Sequence, residues 1–222
     1  MNTLGFDISH FLAGGMVVIS FMLLYQRRLS SLLDIFAIQA AVLAFAVAWQ
    51  AHIQNAPHLY ITAFIALTVK AGVIPAALRR ITRKLKIHHE IDEVVGMGRL
   101  LLSGVALVAL AILVMTPVTM DASAFTREDL AFALSVMLLG FLMMISRHNA
   151  VSQIVGFMSM ENGLVLAATG ASGMPLVVEI SVAFSILIAL FVFGTFIFRI
   201  RERFDTVDVN ALDRFRGERN NG

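Results

Sequence analysis

The chain has no cysteine, one tryptophan and four prolines, and only 14% of its 222 residues are charged. Without cysteine the chain offers no disulfide, no thiolate zinc site and no iron–sulfur ligation of its own. Any redox chemistry therefore belongs to partners. The shortage of charge excludes an ordinary soluble domain, in which about a quarter of residues are ionisable. What is present is apolar: 59% of residues are hydrophobic and the mean hydropathy is +0.84. Lipid is expected to be part of the solvent of this chain. The pI of about 9.4 raises nucleic acid as a partner, but the basic residues mark topology instead, so no nucleic acid is expected.

Seven apolar stretches of about 20 residues are each long enough to cross about 30 Å of hydrocarbon at the rise of an α-helix. They cover 8–26, 32–53, 58–78, 99–118, 127–146, 150–169 and 175–198. Exposed peptide groups have no water to bond inside a bilayer, and these runs are too continuous for barrel strands, so helices are expected. The fold class is all-α, a polytopic transmembrane bundle of about seven spans. The first span follows Asp7 rather than a basic segment and is longer than the apolar core of a signal peptide, so it is read as a retained anchor. Fifteen of the 17 Lys and Arg fall on one side of this alternation, only Arg127 falls on the other, and Lys70 is in the membrane. The positive-inside rule then places the N-terminus outside and the C-terminus in the cytoplasm.

The loop 79–98 is the longest segment between spans. Ile81, Leu85, Ile91, Val94 and Val95 recur near helical spacing among basic residues, which predicts a short interfacial helix. The run His88, His89, Glu90, Asp92 and Glu93 contains metal-ligand residue types, but adjacent histidines on a helix point about 100° apart and no second ligand pair follows. No metal is expected there.

Three ionisable residues lie inside the spans: Lys70, Glu161 and Glu179. Charge at bilayer depth is costly and marks function by default. Lys70 is twelfth of the twenty residues 59–78 and Glu161 twelfth of the twenty residues 150–169, so both are near the midplane. Glu179 lies five residues into its span, nearer the outer leaflet. Burial favours the neutral forms of acid and base, whereas mutual pairing favours the charged forms, and groups so balanced exchange protons near neutral pH. A fixed ion pair that only holds helices together is the plainer account of Lys70 and one glutamate. Two acids and one base leave an acid over, which that account does not use.

The sixth span holds the densest polar cluster. Arg147, His148 and Asn149 cap its start, Gln153 follows one turn on, and Ser159, Glu161 and Asn162 are in mid-membrane. His148 is read as a surface histidine that relays protons only if a channel mouth is beside it. Gly156, Gly163, Ala167 and Gly170 lie close to one stripe suited to a closely packed neighbour helix. Glu161 projects about 140° from Gly156, so packing and proton handling occupy different faces. Pro75 lacks a backbone donor and frees the carbonyl of Ala71 next to Lys70, which admits water. Asp34, at the edge of the second span, is expected to be solvated or paired with Arg28.

The segment 147–163, Val178-Glu179-Ile180, and the tail Thr206-Val207-Asp208-Val209-Asn210-Ala211-Leu212 resemble the E component of hydrogenase-4, a membrane subunit of formate hydrogenlyase-type complexes. More distantly, 127–222 is similar to the three-helix K subunit of respiratory complex I. Aligned on Asn149 and Gly156, the K family's second-helix glutamate falls on Met158, and Glu161 sits one turn later at a depth about 4.5 Å different. A central alignment of the last span puts Ser185 at the third-helix acid. Lys70, with Gly72 and Pro75 after it, is similar to an intramembrane lysine of the hydrogenase-4 relatives.

The resemblance implies a non-redox subunit of a complex in a bacterial or archaeal inner membrane, contributing to proton translocation through Glu161, Lys70 and Glu179. Its partners would be antiporter-like and other membrane subunits, together with lipid. This chain would hold no cofactor, and the partners would carry iron–sulfur clusters and a nickel–iron site. The organisation expected is an N-terminal three-helix region, 1–98, and a C-terminal four-helix region, 99–222, ending in a polar tail. The alternatives are a purely structural scaffold subunit and a free-standing secondary transporter.

Overall fold

The computed structural model describes residues 3–84, 96–118, 124–170 and Leu187. Apart from Leu187, the expected seventh span, with Glu179 and Ser185, lies outside the described residues, as do the polar run 88–93 and the tail. Within them the chain is helical, with α1 at Thr3–Tyr25, α2 at Leu29–Gln54, α3 at Pro57–Ile65, a π-helical segment at Ala66–Val73, α4 at Ile74–Lys84, α5 at Met97–Val118, α6 at Ala124–Ser146 and α7 at Ala150–Gly170. No strand occurs among the described residues.

Six stretches among these are long and apolar enough to cross a membrane: Asp7–Tyr25, Leu29–Gln54, Pro57–Arg83, Met97–Pro117, Glu128–Ser146 and Ala150–Gly170. The chain is thus a multi-pass membrane protein. One expectation needs correction. Arg79, Arg80, Arg83 and Lys84 do not begin a loop but continue the third span's helix, because α3, the π segment and α4 run on without a break. Basic residues at the end of a membrane helix reach water along their own stems, so nothing forces the helix to stop at Leu78.

The turns follow from local chemistry. Asn55 ends α2 with φ 51° and ψ 41°, a left-handed conformation that asparagine tolerates better than most residues. Pro57 then starts α3, where its missing N–H costs nothing. At the start of α7, the Val151 N–H donates to Asn149 Oδ1 at 2.8 Å, satisfying one of the helix's orphan donors.

α1 packs on α2 and α6, α2 packs on the third span and on α7, and α5 leans on α6. The core that results includes Met16, Leu23, Leu24, Leu32, Leu33, Phe36, Leu43, Leu139, Val155 and Met158, all at most 1% exposed. Outward-facing Phe11, Phe45, Phe64, Leu102 and Leu113 are largely exposed, the reverse of a soluble surface and suited to hydrocarbon. The closest contact is α6 on α7. A Cβ added to Gly156 would lie 2.8 Å from Met144 N, and one on Gly163 would lie 2.7 Å from Met137 N. One on Gly140 would collide with Met160 N. Glycine is required at these three positions because two backbones touch there. Gly170 has only Asp129 Cβ, at 4.0 Å.

Named contacts gather the basic residues at one end. Arg147, 1% exposed, donates to the carbonyls of Leu24 and Gln26. Gln153 Nε2 donates to the Arg147 carbonyl at 2.8 Å. Asp34 pairs with Arg79 rather than with Arg28, because α4 brings the arginine across to α2. The opposite end carries Trp49 Nε1 donating to Gly5 O at 2.9 Å, Gln54 Nε2 donating to Thr169 O at 2.8 Å, and His10 within 3.1 Å of Glu128.

Candidate functional site

Lys70 and Glu161 are brought together in the middle of the bundle. The Lys70 Nζ lies 3.1 Å from Glu161 Oε1, and the two residues are 3% and 4% exposed. Neither is at a helix end, so neither reaches an interface along its own stem. The charges are held by neighbours. Lys70 Nζ also donates to Asn162 Oδ1 at 3.0 Å. Asn162 Nδ2 donates to Gln39 Oε1 at 3.3 Å. Gln39 Nε2 in turn donates to Ser20 Oγ at 2.8 Å and to Ser159 Oγ at 3.0 Å. Ser20 Oγ donates to the Met16 carbonyl at 2.8 Å.

This network ties four spans at one depth. Ser20 comes from α1, Gln39 from α2, Lys70 from the π segment, and Ser159, Glu161 and Asn162 from α7. On α7, residues 159 and 162 are one turn apart and share a face, while Glu161 is about 100° from Asn162. Lys70 thus contacts both Glu161 and Asn162. Gly156 and Gly163 are meanwhile turned to α6, and Glu161 projects about 140° from Gly156, so the acid and the packing stripe occupy different faces of α7.

The backbone at Lys70 is itself unusual. The Ile74 N–H bonds to the Val69 carbonyl, five residues back. In that register the donor missing at Pro75 stands opposite the Lys70 carbonyl, not that of Ala71 as the α-helical spacing predicts. π segments inside helices recur at functional positions because they leave backbone groups available and rotate side chains relative to the regular spiral.

Other predicted site residues lie away from the pair. His148 is exposed at the arginine-rich end, and the helix rise from the start of α7 to Glu161 is about 16 Å. Asn149 and Gln153 organise the start of α7 there. Met158, the position matched to the K subunit's glutamate, is fully buried in the apolar core. Glu179 lies outside the described residues. Among the described residues no group of three or more His, Cys, Asp or Glu is arranged to hold a metal ion.

Gln39 and Ser20 escape a reading that follows only ionisable groups. The signal for Gln39 is its place: an amide well inside the apolar run 32–53 needs partners as surely as a charge does. Ser20 gives less warning, since a helical serine often bonds its own preceding turn, as Ser20 also does. A second polar cluster, His10 Nε2 3.1 Å from Glu128 and Nδ1 3.5 Å from Asp129, joins α1 to α6 at the other end.

No family model and no solved structure matches the chain. An uncharacterized protein of Mycobacterium tuberculosis is 29% identical over 210 residues, which are 93% of this chain and 94% of that protein. Hydrogenase-4 component E of Escherichia coli K12 is 29% identical over 208 residues, 93% of this chain and 96% of the relative, and the protein of that name from Shigella flexneri matches to the same extent. The resemblance carried by residues 147–163 thus extends along nearly the whole length of the chain, which is similar to hydrogenase-4 component E over 93% of its residues.

Proposed function

We propose that the chain is an integral membrane subunit of a hydrogenase-type complex and that it contributes to proton translocation through the Lys70–Glu161 pair. The observation that carries this reading is an acid and a base 3.1 Å apart, buried in the middle of two membrane-spanning helices. A pair so placed is costly as mere structure, because desolvation offsets most of the attraction between the charges. It suits a site where a proton resides briefly, because small changes in the surroundings move the balance between charged and neutral forms.

The amides of Gln39 and Asn162 hold geometry. An amide that donates at nitrogen and accepts at oxygen does not pass a proton along as a hydroxyl or carboxyl does, so proton transfer is assigned to the Lys70–Glu161 pair and not to the amides. Glu179 is proposed as a more peripheral relay and His148 as a group at the mouth of the path. In this reading the arginine-rich end is cytoplasmic, following the positive-inside rule. Electron carriers, iron–sulfur clusters and a nickel–iron site reside in partner subunits, and antiporter-like subunits adjoin this one.

The test is Glu161→Gln in the intact complex, reconstituted in vesicles and followed by a pH-sensitive dye. Turnover with lost proton movement is expected. Assembly, turnover and proton movement all at native levels overturn the reading. The scaffold reading is favoured instead if Lys70→Ala lowers the yield of complex while each remaining complex moves protons normally.

A further inference from the structure

The hydrogen bonds around Lys70 have a direction. Gln39 spends its NH2 group on two hydroxyls, Ser20 at 2.8 Å and Ser159 at 3.0 Å, so its oxygen is the atom presented to α7. Asn162 answers with its own NH2, at 3.3 Å. That leaves the Asn162 oxygen facing Lys70 Nζ at 3.0 Å. Rotating Asn162 alone by half a turn would set its NH2 against the Lys70 ammonium and its oxygen against the Gln39 oxygen, and rotating Gln39 alone would set two NH2 groups face to face. Gln39 and Asn162 are both fully buried, so water does not replace a lost partner. The position of Lys70 is therefore lined by a carboxylate and by an amide oxygen whose orientation is fixed two links away.

Such a lining serves an ammonium group in either state of the neighbouring acid. A lysine facing Glu161 alone loses its one acceptor of charge-assisted bonds when the carboxylate takes up a proton. Here the amide oxygen remains. We propose that Gln39 is a positioning residue that, through Asn162, keeps Lys70 a standing cation, so that Glu161 is the member of the pair whose charge changes during turnover. This rests on the proton-transfer reading of the pair and narrows it: Lys70 tunes, Glu161 carries.

Arginine separates the two roles, because its guanidinium keeps its charge at any pH a protein meets, whereas a lysine that relays must lose its proton. In reconstituted complex, normalised to the amount assembled, Lys70→Arg is expected to keep proton translocation within about threefold of native, while Lys70→Met falls with Glu161→Gln. Gln39→Met, which removes the oxygen that orients Asn162, is expected to lower translocation per complex about tenfold or more, the scale of one hydrogen bond to a charged group. Gln39→Glu still offers an oxygen to Asn162 and is expected to keep several-fold more translocation than Gln39→Met.

Translocation by Lys70→Arg as low as by Glu161→Gln overturns the standing-cation role. Equal translocation by Gln39→Met and Gln39→Glu overturns the orienting role, as does a Gln39→Met that lowers only the yield of complex. Should Lys70→Arg fail to assemble, the two Gln39 variants decide the matter. Native translocation in Glu161→Gln sinks the underlying reading, whereas loss in Glu161→Gln together with loss in Lys70→Arg sinks this inference alone.

Discussion

Breaking the central ion pair from one side should cost more than removing it whole. Lys70→Met leaves Glu161, 4% exposed, without the ammonium group that lies 3.1 Å away. Removing one partner of a buried pair costs about 3–5 kcal/mol, because the remaining charge loses the opposite charge that offset its desolvation. Glu161→Met leaves the Lys70 ammonium with Asn162 alone, for a loss of the same order. The double variant, with both side chains replaced by methionine of comparable length, removes both charges together. An apolar replacement of a whole buried pair is neutral to stabilising by about 1–4 kcal/mol. Against that stands the Asn162 oxygen, which loses its donor from Lys70 at about 1–3 kcal/mol. The double variant should therefore lie within about 3 kcal/mol of the native chain on either side. Thermal inactivation of the detergent-solubilised complex reads the difference, at about 2–4 °C per kcal/mol for chains of this size. Each single variant should lose about 6–20 °C, and the double variant should recover most of that. A double variant as unstable as the two single losses added together refutes direct contact between Lys70 and Glu161.

Gly140→Ala and Gly163→Ala should each destabilise by about 1–3 kcal/mol in the same assay, since their Cβ atoms meet backbone of the facing helix. Gly15→Ala is the control: nothing lies within 4 Å of a Cβ there, and losing glycine in a helix interior should be neutral or stabilising by about 0.5–1 kcal/mol. Arg147→Met should loosen the junction between α1 and α7, because the buried guanidinium that bonds the Leu24 and Gln26 carbonyls is gone; faster limited proteolysis at the 26–28 turn reads this out. Asp34→Asn should change stability by less than about 1 kcal/mol, because the carboxylate and Arg79 are both well exposed and screened by water.

The residues that made the fold legible are those for which local chemistry leaves few options. Runs of twenty apolar residues have no other satisfied backbone in lipid, and the six spans found start and end within a few residues of those expected, apart from the third. That span runs on through Arg83 because a basic helix end is no obstacle at a membrane surface. The glycine stripe was readable as well, since small residues one or two turns apart serve close helix contact. Lys70 and Glu161 stood out by depth alone. Gln39 did not, because an amide at one position in a long apolar run announces a need for partners without saying which helix supplies them.

Composition and spacing by themselves determine that this chain crosses a membrane as helices and that Lys70 and Glu161 lie near mid-depth, because both follow from helical rise and from the cost of bare peptide groups in hydrocarbon. They do not determine which helices touch. Residue 70 and residue 161 are far apart in sequence, and any of several helix arrangements satisfies the same hydropathy. Only tertiary packing sets both the third span and α7 against α2, puts an amide chain from Ser20 to Lys70 through Gln39 and Asn162, and moves the backbone register at Pro75 by one residue. Those choices are made by side-chain contacts and backbone approach between helices, and neither is a property of one span read alone.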